Sequence, residues 1–128
     1  MQIEKCAGLG LTGQRDRSMA ISMSEPGTLE RLEATIATRR GADPDSSYVA
    51  KLNAKGLPKI AEKLGEEATE AIIAALVQDN EALVGEAADL LFHLMVLLGA
   101  KGIPLGDVLA ELDRREGISG ISEKAARS

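Results

Sequence analysis

At 128 residues, 45% of them apolar, the chain is long enough for one domain with a single buried core and needs neither disulfides nor a structural metal to fold. A formal charge of −5 excludes nucleic acid and anionic lipid as main partners, since both require a basic face, and a small anionic ligand would need a cation between it and the protein. One Phe, one Tyr and no Trp, beside plentiful Ala, Leu, Ile and Glu, favour helices over sheets, so the expected class is all-α.

Residues 1–27 are rich in Gly, Ser and Met, show neither helical nor strand period, and end in the turn-like pair Pro26-Gly27, which predicts a disordered extension. Glu4, Lys5, Arg15, Asp16 and Arg17 interrupt any secretory apolar run. The single cysteine, Cys6, has no partner for an intrachain bridge; it reads as inert, in a cytoplasmic setting. The folded domain is expected over 28–116, followed by a polar tail over 117–128.

Thr28 is the expected N-cap of a first helix that runs through Leu29, Leu32 and Ile36 and stops near Gly41, ahead of Asp43-Pro44. Ser46 or Ser47 caps a short second helix through Tyr48, Val49 and Leu52, which ends near Gly56. Pro58 suits the first turn of a long third helix, whose core side carries Ile60, Leu64, Ala68, Ile72, Ala75 and Leu76 up to a break at Asp79-Asn80. A fourth helix, from residue 81 to about 100, is apolar almost all round. Its strongest apolar stretch, 87–100, is shorter than the roughly 20 residues of a membrane span and carries Asp89 and His93, so a buried core helix is expected and no membrane association. Gly102 and Pro104 precede a fifth helix over 105–115 with Val108, Leu109 and Leu112 on its apolar side. There are no internal repeats or heptads.

Two acidic stripes carry the chemistry. On the third helix Lys63, Glu66, Glu67 and Glu70 fall three and four residues apart and share a face, where like charges oppose folding by a few tenths of a kcal/mol per pair. Such a string alone is more often a solvated face. On the fourth helix Glu86, Asp89 and His93 are the polar residues of an otherwise apolar stretch, again on one face. A helix so apolar must be buried on most sides, and buried carboxylates are costly unless paired or bound to metal. An antiparallel hairpin about Asp79-Asn80 would set Glu67, Glu70, Glu86 and Asp89 into a four-carboxylate cage. All-oxygen ligation selects Mg²⁺ or Mn²⁺ over Zn²⁺. Di-iron carboxylate chemistry would require Glu-x-x-His pairs on two helices, and the chain has one histidine. For His93 the expected role is to bond a neighbouring carboxylate or carbonyl rather than to touch the metal.

The pattern Glu67-x-x-Glu70 followed by Glu86-x-x-Asp89 resembles the metal signature of the all-α nucleoside triphosphate pyrophosphatases, the MazG-like superfamily. A longer ordered series resembles the phosphoribosyl-ATP pyrophosphatase family within it: Ser47-Tyr48-Val49-Ala50-Lys51-Leu52, Lys55-Gly56, Lys59-Ile60, Lys63, Gly65-Glu66-Glu67-Ala68-Thr69-Glu70, Ala88-Asp89-Leu90-Leu91-Phe92-His93, and Ser119-Gly120-Ile121-x-Glu123-Lys124-Ala125-x-Arg127. The resemblance implies a helical bundle completed by homodimerisation, and hydrolysis of phosphoribosyl-ATP to phosphoribosyl-AMP and pyrophosphate in histidine synthesis. It implies Mg²⁺ on Glu67, Glu70, Glu86 and Asp89, with Glu66 orienting or deprotonating the attacking water. It places Lys51, Lys55 and Lys63 on substrate phosphates, where a compact ammonium is suited to the oxygens. Arg114, Arg115, Lys124 and Arg127 are weaker candidates for substrate contacts, and a phosphoribosyl-AMP cyclohydrolase is a further partner the resemblance suggests.

Two other readings compete. A pyrophosphatase that removes damaged nucleoside triphosphates would share the carboxylates but has no need of the Ser-Tyr-x-Ala-Lys segment or the Ser-Gly tail. A non-catalytic helical dimerisation module would require one basic partner per buried acid, and the fourth helix supplies none. Met19 and Met23 lie within the N-terminal segment, so translation from a later start is a further expectation. Deleting residues 1–22 is expected to leave activity and melting temperature unchanged; a large loss of either in an assay of the truncated protein would overturn that reading.

Overall fold

The computed structural model describes residues 26–116; the N-terminal extension before residue 26 and the tail from residue 117 lie outside the described residues. Five helices and no strand are found among the described residues: α1 (Thr28–Arg39), α2 (Tyr48–Lys55), α3 (Leu57–Val77), α4 (Asn80–Ala100) and α5 (Leu105–Arg115). The all-α class read from composition is the observed one.

Helix starts follow local capping chemistry. Gly27, not Thr28, is the N-cap of α1: its backbone is extended and its carbonyl accepts the Arg31 N–H at 3.0 Å, which makes Thr28 the first helical residue. Of the two serines ahead of α2, Ser47 caps, its hydroxyl accepting from the Ala50 N–H at 3.2 Å. The single residue between α2 and α3 is Gly56 at φ +98°, a conformation open to glycine and strained for other residues, so the two helices meet at a sharp, fixed joint. Asp79 caps α4 by accepting from the Ala82 N–H at 2.8 Å. With only Gln78 and Asp79 between them, α3 and α4 fold back as an antiparallel hairpin, the most extensive helix pair among the described residues.

The core joins Leu32 and Ile36 of α1, Val49 and Leu52 of α2, Ile60 of α3, Phe92, Met95 and Val96 of α4 and Leu105 of α5. The start of α5 is held to α1 by the Glu33 carboxylate, which accepts the Leu105 N–H at 2.7 Å. A cleft of about 380 Å³ opens beside this tie, lined by Ile36, Arg40, Met95, Leu98 and Ile103 among others.

Three apolar patterns are not matched by burial in the described residues. On α3, Ile60 is buried, but Ile72, Ala75 and Leu76 of the expected core side are exposed, and Ala74 is buried instead. On α5, Leu109 and Leu112 are exposed and only Leu105 is buried. On α4, Asp89, Phe92, His93, Met95 and Val96 are buried while Val84 and Leu91 face outward. The reason is length: at 1.5 Å per residue α3 and α4 each reach about 31 Å, against roughly 18 Å for α1 and 12 Å for α2, so the shorter helices cover only part of the hairpin. The full 21 residues of α4, with mean hydropathy 1.7 over its most apolar window, are long and apolar enough to cross a membrane by length and composition, unlike the shorter stretch that the sequence singles out.

Because Ile60 is almost wholly enclosed, Ile60→Ala is expected to lower the unfolding free energy by about 3 kcal/mol and Ile60→Val by about 1 kcal/mol. Chemical denaturation checks the pair, and equal losses from both would show that filling the core is not what Ile60 contributes.

Candidate metal centre

The α3–α4 hairpin brings the two acidic stripes together. One carboxylate oxygen from each of Glu67, Glu70 and Glu86 lies within 4.8 Å of the others. In an octahedral magnesium site opposite ligand oxygens are separated by about 4.2 Å, twice the metal–oxygen distance, so the three are already spaced to within a small side-chain adjustment of such a sphere. Asp89, one turn beyond Glu86 on α4, is buried, and its charge acts on Glu67 and Glu86.

Burial makes the arrangement costly without a cation. Glu67 is fully enclosed, and neither of its carboxylate oxygens nor Oε1 of Glu86 meets a hydrogen-bond donor. Burial, reinforced by the charges of Glu70 and Asp89, pushes the Glu67 carboxyl up to about 7. Glu86 is raised as well, first by burial and then by the adjoining Glu70 carboxyl. Enclosed acceptors without donors, all of them hard oxygen, are the donor set that fits a divalent cation such as Mg²⁺ or Mn²⁺.

His93 takes no part in the carboxylate group. Its Nδ1 lies 2.8 Å from the Asp89 carbonyl oxygen and its Nε2 lies 3.0 Å from the Tyr48 hydroxyl. A carbonyl only accepts, so Nδ1 carries the proton and donates, Nε2 accepts, and the Tyr48 O–H donates to it. Burial lowers the His93 pKa and favours this neutral form. The histidine therefore braces the backbone of Asp89 from behind. Tyr48, which the sequence reading places only within the Ser-Tyr-x-Ala-Lys segment and gives no role, is the group it reaches.

Glu66 is exposed and bonded to Lys63 Nζ at 3.0 Å. That bond holds the Glu66 carboxyl below its usual range. Burial works to lower the Lys63 pKa, but the Glu66 hydrogen bond and the neighbouring Tyr48 and Glu67 outweigh it and raise the pKa. Lys63 is thus brought close to the centre. Lys51 is exposed at the edge of a polar recess of about 260 Å³ that it lines with Pro44, Asp45, Ser46, Ser47 and Tyr48. Lys55 is exposed one turn further along α2. Arg114 and Arg115 both bond Glu111, which their hydrogen bonds push down to about 2. Lys124 and Arg127 lie outside the described residues.

A family model described as phosphoribosyl-ATP pyrophosphohydrolase matches residues 29–116, the span of all five helices. The chain belongs to this family. Among phosphoribosyl-ATP pyrophosphatases it is 74% identical to the protein of Erythrobacter litoralis over 100 residues, which is 78% of this chain and 96% of that relative. To the protein of the same name from Novosphingobium aromaticivorans it is 72% identical over 100 residues, 78% of this chain and 94% of the relative. To that of Rhizorhabdus wittichii it is 69% identical over 101 residues, 79% of this chain and 95% of the relative. Membership of the phosphoribosyl-ATP pyrophosphohydrolase family confirms the resemblance read from the residue series, and with it an all-α enzyme that hydrolyses a phosphoric anhydride.

The raised Glu67 carboxyl sets the pH behaviour of the metal-free protein. Below about 4.5, the carboxyl is protonated whether the chain is folded or not; between there and about 7 the unfolded chain gives up the proton first, and above 7 the fold must carry a buried charge. Stability from this group is therefore lost as pH rises through that window, by up to about 3 kcal/mol. In chelator, Glu67→Gln is expected to melt higher than the unsubstituted protein at pH 8 and to match it at pH 4; the same offset at both pH values would contradict the assignment.

Proposed function

We propose that the chain hydrolyses phosphoribosyl-ATP to phosphoribosyl-AMP and pyrophosphate, the second step of histidine biosynthesis, with Mg²⁺ held by Glu67, Glu70, Glu86 and Asp89. The observation that carries the metal assignment is the enclosed Glu67 carboxylate, both of whose oxygens lack a donor beside Glu70 and Glu86. The substrate assignment rests on relatives of 69–74% identity named for it, which the matched segment covers almost end to end.

Hydrolysis between the α- and β-phosphates requires a water to attack phosphorus while pyrophosphate leaves, and the developing charge on the phosphate oxygens must be met. Bound Mg²⁺ would supply neutralisation of the triphosphate, polarisation of the phosphorus and a lowered pKa for water. The protein's own groups do the rest. Glu66, exposed beside the cluster, is positioned to orient the attacking water, and its low pKa under the Lys63 bond suits it better to holding that water than to removing its proton. Lys63, and Lys51 on the rim of the neighbouring recess, meet phosphate oxygens. Lys55 extends the same basic face of α2 by one turn. His93 keeps Asp89 in place through its backbone carbonyl.

The enzyme works as a homodimer in a cytoplasmic setting. Support for the dimer is the apolar overhang of the hairpin, where Ile72, Ile73, Leu76 and Val77 on α3 and Val84 on α4 are exposed, an area that a second copy would cover. Phosphoribosyl-AMP cyclohydrolase is the partner that would take up the product.

Pyrophosphate release from phosphoribosyl-ATP, compared with common nucleoside triphosphates, with and without Mg²⁺, tests the reading directly. Metal-dependent release confined to phosphoribosyl-ATP is expected. Glu70→Gln and Asp89→Asn are expected to lower turnover by at least about a hundredfold while the far-ultraviolet helix signal persists, and near-normal activity in both would refute the metal assignment.

A further inference from the structure

Tyr48 ties the helix that carries Lys51 to α4, which carries Glu86 and Asp89. It belongs to the first turn of α2, which packs mainly on α3 and α1. Its hydroxyl nevertheless reaches across to α4, 45 residues on, and bonds His93 Nε2 at 3.0 Å. The contact is built rather than incidental. His93 and Phe92 are almost wholly enclosed. The Tyr48 ring stacks on Phe92 with centroids 6.0 Å apart, and His93 stands edge-on to both rings at 5.7 and 5.1 Å. Since Nδ1 is committed to the Asp89 carbonyl, Nε2 has no proton and accepts only, so the direction of the Tyr48 bond is fixed.

Both ends of this strut touch the phosphate-handling parts. Tyr48 itself lines the polar recess with Ser46, Ser47 and Lys51. On α3, Lys63 bonds Glu66 at 3.0 Å, and its charge is felt by both Tyr48 and Glu67. The far end braces Asp89 through the histidine. The bond thus links the recess that Lys51 lines to the turn of α4 that carries Asp89.

We propose that Tyr48 is a positioning residue for the polyphosphate: through its bond to His93 it holds the first turn of α2 and Lys51 in register with the turn of α4 that carries Asp89, beside the carboxylates of the α3–α4 hairpin. This deepens the proposed function and rests on it for the identity of the substrate. Loss of the hydroxyl leaves the rings packed but frees α2 to shift, which weakens phosphate binding without altering the carboxylates.

The test compares the full chain with Tyr48→Phe, His93→Leu and the double variant, using inorganic pyrophosphate binding in Mg²⁺ by calorimetry, Mg²⁺ binding alone, and KM and kcat for phosphoribosyl-ATP. Tyr48→Phe is expected to weaken pyrophosphate binding and raise KM about tenfold, with kcat and Mg²⁺ affinity changed less than about twofold, and the double variant should be no worse than the worse single one. A Tyr48→Phe variant that melts lower but binds pyrophosphate normally would overturn the proposal, as would losses that simply multiply in the double variant or a full-length protein that binds no pyrophosphate. Normal pyrophosphate effects together with no turnover of phosphoribosyl-ATP would instead reject the substrate and leave the strut standing.

Discussion

The concentration of like charge inside the α3–α4 hairpin is the constraint around which this protein is arranged. Carboxylates that meet in an enclosed space repel one another and lose hydration, and packing elsewhere must outweigh both effects. Here the packing lies toward the other end of α4, where Ile36, Ile60, Phe92 and Val96 interlock and all five helices meet. A capped two-residue link joins the arms of the hairpin, and His93 bonds the turn of α4 that carries Asp89. The fold therefore stores an unfavourable charge arrangement in a place that a divalent cation can relieve, and ligand affinity and fold stability become two aspects of the same free energy.

Much of this was legible in the sequence because its signals are local and redundant. Helix boundaries followed from Ser47, Gly56, Pro58 and Asp79, each of which acts on the backbone within a turn of itself. The meeting of Glu67, Glu70 and Glu86 followed from three- and four-residue spacing on two helices joined by a short link. The burial of the outer halves of the helices was not legible, since periodicity shows which residues share a face but not whether a neighbour is long enough to cover it. Ile72, Leu76 and Leu112 have the pattern of core residues and lie exposed.

The Tyr48–His93 bond was hidden for a different reason. A hydrogen bond between residues so far apart in the chain depends on how α2 sits across α4, and that angle is set by the Gly56 joint and the packing of Val49 and Leu52, not by any spacing between the two residues. For the histidine, standing among the acids of α4, a bond to a neighbouring carboxylate or carbonyl was legible from sequence. The observed contact is the carbonyl one, with the Asp89 backbone, so it controls where a helical turn lies more than how basic one side chain is.

The three-ring cluster gives the protein a built-in reporter. With one tyrosine, one phenylalanine, one histidine and no tryptophan in the whole chain, all of its aromatic side chains are gathered where α2 crosses α4. Near-ultraviolet absorbance, tyrosine emission and the aromatic proton resonances consequently come from this one junction, and the movement of α2 against α4 can be followed spectroscopically in the unlabelled protein.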